Sequence, residues 1–485
     1  MRNENKHDLH TIPPNFIEGG TLFGGMFKLR NVMEAGIVVA AIGIPVLSLD
    51  LSLTMRIIIL CLTALPLGLF ALMGFSGESL SSFLIGIFKF LKNRRVISRD
   101  SLQKKKQHKQ SAESPFINPV AEYLPIDKIQ NGIIYTKDHR YLKVIEVIPI
   151  NFLLRSAREQ KNIIYSFISY LKISPVKIQI KVLTKRADLN KHTDIVRREM
   201  ERETDPNCRM LQEDYLDLVA HIGSREATTR RFFVIFEYEQ LGRRGTSEES
   251  DAISSLQIAA RTAVSYLKQC GNEVLIPENE DEFTVDVLYS ILRRQTSADV
   301  PLSQRVQDVV AQYVAAQKDT NNIPCCEFFA PDRLDFTHSR YVCIDGLYHT
   351  YLLVPSNGYK AQVPAGWLSL LVNAGDGIDI DLFLEKQPKE RMVQKLGQQL
   401  RINRSKIKET SDTNSDFDDL EGAIRSGYFL KDGMANNEDF YYMSILITIT
   451  ADTPEDLDWR EREMRKLLVS HGMNVSPCTF REELY

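Results

Sequence analysis

The dipeptide Gly-Lys occurs nowhere in the 485 residues. A P-loop needs GxxxxGK[ST], because backbone amides must cradle the phosphates while the Lys reaches the terminal one. Its absence argues against nucleotide hydrolysis by that route. No GxSxG or HExxH motif occurs either, so the sequence nominates no catalytic residue. The seven cysteines (Cys61, Cys208, Cys270, Cys325, Cys326, Cys343 and Cys478) are odd in number and include no CxxC pair. Adjacent Cys325 and Cys326 can neither bridge each other nor face one metal without strain. They read as reduced thiols packed as small apolar groups. With 25 Gly, 19 Pro and so few Cys, collagen-like, fully disordered and disulfide-scaffold classes are excluded.

Charge is nearly missing from residues 30–90 and concentrated just beyond. Residues 89–109 hold Lys89, Lys92, Arg94, Arg95, Arg99, Lys104, Lys105, Lys106 and Lys109 against Asp100, a local charge of about +8. The whole chain carries −3, so residues 110–485 carry about −10. An acidic body behind a basic collar is a poor nucleic-acid binder, and no direct nucleic-acid contact is expected.

Val32–Leu49 and Met55–Phe75 are apolar runs, each with a single charge near its start, Glu34 and Arg56. As helices they reach about 27 and 31 Å, enough for a hydrocarbon core of about 30 Å. The short connection Asp50–Thr54 forces an antiparallel hairpin. Pro45 and Pro66 fall inside the spans, where lipid-embedded helices tolerate proline. Lys28 and Arg30 precede the hairpin and the collar follows it, so both termini are expected in the cytoplasm. Ser79–Phe90 (SLSSFLIGIFKF) reads as a helix lying in the interface. Lys89, Lys92, Arg94, Arg95, Arg99, Lys104, Lys105 and Lys106 are the candidate residues for an anionic membrane surface.

Ser98–Pro119 reads as a linker. Strands follow at 132–136 and 141–149, then a helix at 158–171 and the alternating strand VKIQIKVLT at 176–184. A long polar helix is expected over 190–221, a strand over 231–239, and helices over 252–270 and 282–294. After a helix at 304–317 come strands at 340–344 and 348–355, and a short helix at 367–372. The strand GIDIDLFLE spans 377–385, and a basic helix 389–407. An acidic flexible stretch covers 408–419, a strand 441–451, a charged helix 454–472 and a last strand 473–479. The fold class is a two-helix transmembrane hairpin followed by an α+β cytoplasmic region, with antiparallel or mixed sheets and helices on one face. The divisions are a tail (1–30), the hairpin (31–77), the interfacial helix and basic linker (78–119), and two α+β units (120–300 and 301–485). The two units suggest distant structural repeats, without a repeat at the level of residues.

Other constellations carry little chemistry. Asp345 and Asp379/Asp381 end apolar runs as a Walker B strand would, but without a P-loop they read as edge or solvent-facing positions. Gly19-Gly20 and Gly24-Gly25 precede a membrane span, not a helix after a strand. His7 and His10 read as an idle tail. His338, Cys343 and His349 lie on neighbouring strands, yet no carboxylate is in evidence to orient them as a metal or nucleophile site. Asp418-Asp419 read as solubilising charge. No metal and no cofactor is expected.

The stretch IPPNFIEGGTLFGGMFKLRNVMEAGIVVAAIG (12–43), with its hairpin and basic exit, resembles the PrgI family of small membrane proteins from Gram-positive conjugation machines. The stretch EYLPIDKIQNGIIYTKDHRYLKVIEVIPINFLLRSAREQKNIIYSFISYLKISPVKIQIKVLTKRADL (122–189) is similar to the start of TraC-like conjugative transfer ATPases of type IV secretion. Residues 341–385 and 440–475 resemble the later part of that family's N-terminal region. The family's ATPase domain would begin about where this sequence reaches Arg481–Tyr485. The resemblance therefore implies a non-catalytic subunit in the bacterial cell membrane, oligomeric, with a motor ATPase and channel subunits as partners besides lipid. The alternative is a membrane-anchored enzyme or sensor with an α+β ligand domain, which would need a pocket with convergent polar groups.

Overall fold

The structure is a computed structural model. It describes residues 9–11, 21–22, 27–49, 52–74, 79–93, 95–99, 118–186, 190–225, 228–239, 246–354, 358–359, 362–364, 366–409 and 415–480. Two apolar helices, α1 (Leu29–Ser48) and α2 (Leu53–Met73), form an antiparallel hairpin, and both are long and apolar enough to cross a membrane. They approach closely because α2 turns small residues, Ala64, Gly68 and Ala71, toward its partner. A Cβ on Gly68 would stand 2.7 Å from Val39 Cγ2. At the open end Asn31 Nδ2 donates to the Leu72 carbonyl at 3.3 Å. The lone acid of the first apolar run has a structural use. Glu34 accepts from the backbone N–H of Ser81 at 2.9 Å and from its hydroxyl at 2.6 Å, capping the start of α3 (Leu80–Asn93).

The strands follow as β1 (Val96–Ser98), β2 (Ile126–Gln130), β3 (Ile133–Thr136), β4 (Arg140–Ile148), β5 (Lys177–Arg186), β6 (Thr228–Glu239) and β7 (Glu273–Val274). The later ones are β8 (Arg333–Asp335), β9 (Val342–Ile344), β10 (Leu347–Val354), β11 (Ile378–Lys386), β12 (Tyr441–Ala451) and β13 (Ser476–Pro477). All thirteen belong to one antiparallel sheet. Its order is β1-β8-β9-β10-β12-β11-β5-β6-β4-β3-β2, with β7 also on β4 and β13 also on β10. The two expected units are thus two halves of one sheet, joined where β5 pairs with β11.

Helices cover one face of the sheet throughout. Over the first half lie α4 (Ala157–Ile173) and, after the hairpin α5 (Asn190–Arg202) and α6 (Pro206–Arg225), α7 (Thr246–Gln269). Tyr170, Leu256, Ala260 and Ala263 of these helices pack on Ile145, Val234 and Phe236. The expectation of helices on one face fails here, because Val144 and Phe233 are as apolar as their neighbours Ile145 and Val234. Both faces must then be covered. The opposite face takes α8 (Glu280–Leu292), α9 (Leu302–Ala315) and the short helix Cys326–Phe329, through Val287, Leu302 and Phe329. Residues 302–329 consequently pack with the first half, across the boundary drawn at 301.

The second half is covered by α10 (Ser369–Val372) and, beyond the hairpin α11 (Lys389–Glu409) and α12 (Ser415–Ala435), by α13 (Pro454–Ser470). Leu371, Leu457, Met464 and Leu468 bury Leu352, Ile380, Ile445 and Ile447.

Three local expectations are corrected. The long helix over 190–221 is two, broken at Thr204-Asp205, because Pro206 starts a new helix and Asp205 Oδ1 caps it by accepting from Asn207 N at 2.8 Å. Of the linker read over 98–119, Ser98 ends strand β1, which pairs through Ser98, Ile97 and Val96 with Arg333, Leu334 and Asp335, and Pro119 begins a short helix, while 100–117 lie outside the described residues. Residues 415–419 of the acidic stretch start α12, while 410–414 lie outside the described residues.

Gly68→Val should separate the two apolar helices, since its side chain meets Val39, whereas Gly43→Ala should be tolerated because only Leu60 lies near, at 4.0 Å. Disulfide trapping between cysteines placed on α1 and α2 should lose efficiency in the first variant and keep it in the second.

Candidate functional site

The described part of the collar divides into an exposed side and a body side. On α3, Leu84, Ile85, Phe88 and Leu91 are exposed, with Lys89 and Lys92 beside them. The opposite side of that helix meets the body, where Phe83 and Phe90 pack edge-on against Phe480 at 5.7 and 5.4 Å between ring centroids. Arg95 lies over the Tyr123 ring at 4.8 Å. Arg99 donates to Gln312 Oε1 at 2.9 Å, pairs with Asp332 at 3.7 Å and donates its backbone N–H to the Asp332 carbonyl. The guanidiniums of Arg95 and Arg99 are therefore engaged with the body, while Lys89 and Lys92 stay exposed on α3. Arg94, Lys104, Lys105 and Lys106 lie outside the described residues.

A second cluster was not legible as a site. Asp379 and Asp381, expected at an edge or in solvent, are 5% and 3% exposed. They sit on β11 in the middle of the sheet. Lys181 Nζ approaches Asp381 Oδ2 at 2.9 Å, and Gln179 Nε2 donates to Asp381 Oδ1 at 2.7 Å. Asp379 accepts from the Thr184 N–H at 2.8 Å, the Thr184 hydroxyl at 3.0 Å and Arg294 Nη1 at 2.5 Å. Arg294 also donates to the Thr184 hydroxyl at 2.8 Å and to the Thr184 carbonyl. Burial opposes a charge on Lys181, but the carboxylates of Asp381 and Asp379 outweigh it and raise its pKa. Further along the same face Arg231 forks onto Glu146 at 2.9 and 2.8 Å and reaches Asp286 and Ser290.

His349 borders this cluster. Its Nδ1 lies 3.0 Å from the Thr450 hydroxyl. Burial and the nearby Arg294 push its pKa down to about 4, against a smaller opposing pull from Asp379, so the ring is neutral. It does not converge with the other two residues of its trio. His349 stands opposite Val342 and Cys343 opposite Tyr348, which puts them on opposite faces of the sheet. His338 stacks on Tyr341. Among the described residues no group of three His, Cys, Asp or Glu could hold a metal ion. Asp345 lies in the β9–β10 turn with φ of 49° and accepts the Asp332 and Arg333 N–H groups at 2.8 Å. Burial raises its pKa.

The charges of this cluster are matched by one another and by backbone groups, an arrangement that holds strands together. The sequence did hold a signal for it. IQIKV in β5 and IDIDL in β11 each place two polar residues at alternating positions, hence on one sheet face.

Residues 127–257 match the family model described as the archaeal TraC-like domain. No curated protein matches the chain. The matched span runs from β2 into α7, which makes it most of the first half of the sheet.

His349 also generates a pH dependence. Its folded pKa of about 4 lies below the usual 6.5, so as pH falls between these values the unfolded chain takes up a proton that the folded chain refuses. Stability should drop over that window, by about 3 kcal/mol at the low end. His349→Leu should flatten the slope, read as hydrogen exchange of the β10 amides from pH 7 to pH 4. The TraC-like match relates residues 127–257 to proteins of conjugation and type IV secretion systems.

Proposed function

We propose that the chain is a membrane-anchored, non-catalytic docking subunit of a conjugation or type IV secretion machine, which positions a separate motor ATPase at the channel. The observation that carries this reading is the TraC-like domain at 127–257 in a body tied to an apolar helical hairpin. Only 17% of the apolar window of each hairpin helix is buried, which suits helices solvated by lipid. Met33, Ile37, Ile44, Leu62, Leu65 and Met73 stand exposed on them. Lys and Arg flank the open end of the hairpin, which favours both termini in the cytoplasm and a PrgI-like anchor. α3 then lies in the interface with Leu84, Phe88 and Leu91 in lipid and Lys89 and Lys92 at the headgroups. Lys104, Lys105 and Lys106 would add to the attraction.

The non-catalytic part rests on the lack of a Gly-Lys dipeptide and on charges that serve one another. The motor is expected to meet α13 and β13, where Trp459 is exposed on a rigid helix.

Two measurements test this. In a background without other reactive thiols, Ser52→Cys should react with an impermeant reagent on intact cells and Ser111→Cys should not. The reverse pattern would overturn the orientation. The purified full chain should turn over no ATP, yet capture a P-loop ATPase encoded beside it, and Trp459→Ala should weaken that capture at least tenfold, as loss of an aromatic anchor does. ATP turnover by the chain itself would refute the non-catalytic role, and capture indifferent to Trp459 would refute the contact.

A further inference from the structure

The family match ends at residue 257, yet past residue 332 the order of elements begins again. The first run is β2, β3, β4, α4, β5, the hairpin α5–α6, β6, α7, β7. The second is β8, β9, β10, α10, β11, the hairpin α11–α12, β12, α13, β13, with the short strand Gln362–Pro364, which pairs with Leu9–Thr11 outside this sheet, inserted before α10. Each run contains a four-stranded core of the same order, β7-β4-β6-β5 and β13-β10-β12-β11. Each is interrupted by a helical hairpin at the same joint, between the fourth and fifth strands of its run (β5 to β6, β11 to β12).

Registers agree as well. Val234 stands between Ile145 and Ile180, and Ile447 stands between Leu352 and Ile380. The β3–β4 and β9–β10 ribbons match through Leu142 opposite Ile134 and His349 opposite Val342. The covering helices bury residues at one spacing, Leu256, Ala260, Ala263 and Leu267 in α7 and Leu457, Glu461, Met464 and Leu468 in α13. The seam strands match residue for residue as alternating pentads, Ile178-Gln179-Ile180-Lys181-Val182 and Ile378-Asp379-Ile380-Asp381-Leu382.

We infer that residues 333–477 are a second TraC-like unit, and that the β5–β11 seam is an interaction surface between two such units, closed within one chain about a pseudo-two-fold axis. The axis passes between Lys181 and Asp381. They hold the same place in their pentads and stand directly opposite one another across the seam. In a dimer of identical units the residue on the axis faces itself, which would set Lys against Lys or Asp against Asp. Here the pair is Lys181 against Asp381 at 2.9 Å. The surface therefore fits a second unit of the same fold but of opposite charge at the axis, and rejects a copy of itself. Arg294, from the segment joining the units, adds a further bond to Asp379. This inference does not depend on membrane docking or on a motor, and its test involves neither.

The test uses the full chain in detergent, read by hydrogen exchange. Lys181→Asp and Asp381→Lys each put like charges at the axis and should raise amide exchange in both β5 and β11 about tenfold or more. The exchanged pair K181D/D381K restores opposite charges and should return both strands to within about threefold of the parent. Lys181→Met with Asp381→Leu, which removes both charges at the axis, should also stay closed and would show that the seam tolerates change there. Gln179→Cys with Phe383→Cys, opposed across the seam, should form a disulfide on mild oxidation. Single reversals without effect, an exchanged pair no better than either single variant, or failure of the cysteine pair to link would each overturn the proposal.

Discussion

An edge strand exposes a row of backbone N–H and C=O groups that must be paired, covered or charged. β5 and β11 are each the last strand of their half, and the structure disposes of both edges at once by pairing them. Residues 178–182 lie against 380–384 in antiparallel register, which also aligns the inward faces of the two halves, Ile180 beside Leu382 and Val182 beside Ile380. A slip of one residue would turn those side chains to the polar face and bring Lys181 and Asp381 among the aliphatic groups. The buried ion pair thus specifies register at a desolvation cost that its hydrogen bonds offset.

The rest of the polar cluster follows from that junction. Asp379 ends the β5–β11 pairing, and Arg294 together with Thr184 closes the gap that remains. Arg294 comes from the segment just after α8, so the helices on the far face of the first half are coupled to the first strand of the seam in the second. His349 lies within the field of Arg294 and is held neutral by it and by burial. The cluster reads as the fastening of the sheet, with the proton-active group at its margin engaged by Thr450.

The apolar hairpin is attached to the second half. Leu9–Thr11 pairs with Gln362–Pro364, β1 pairs with β8, and α3 rests on Phe480. The TraC-like match lies in the first half. The collar also reaches elements packed on the first half, through Arg95 over Tyr123 and Arg99 on Gln312, so the β5–β11 seam is one of two routes between the hairpin and the matched domain, the one fastened by Gln179, Lys181, Thr184, Arg294, Asp379 and Asp381. A charged, well-satisfied junction suits such a place, because breaking it leaves buried charges unpaired.

The sequence by itself determined the local elements. Apolar runs of helix length, period-two strands and the Asp345-Gly346 turn depend on neighbours in the chain, and those neighbours are written in order. It also determined the basic collar and the hairpin, since both are matters of composition over a short window. Tertiary structure alone decided what the charged residues within strands do. IDID reads locally as a half-exposed strand, and only the approach of Lys181 and Arg294, some 200 and 85 residues away, converts it into a buried fastening. It also decided that Val144 and Phe233 face a second helix layer, that Arg95 and Arg99 bind the body, and that the two units share one sheet. Each of these depends on a strand edge or face finding a partner far along the chain, and periodicity carries no record of which partner that is.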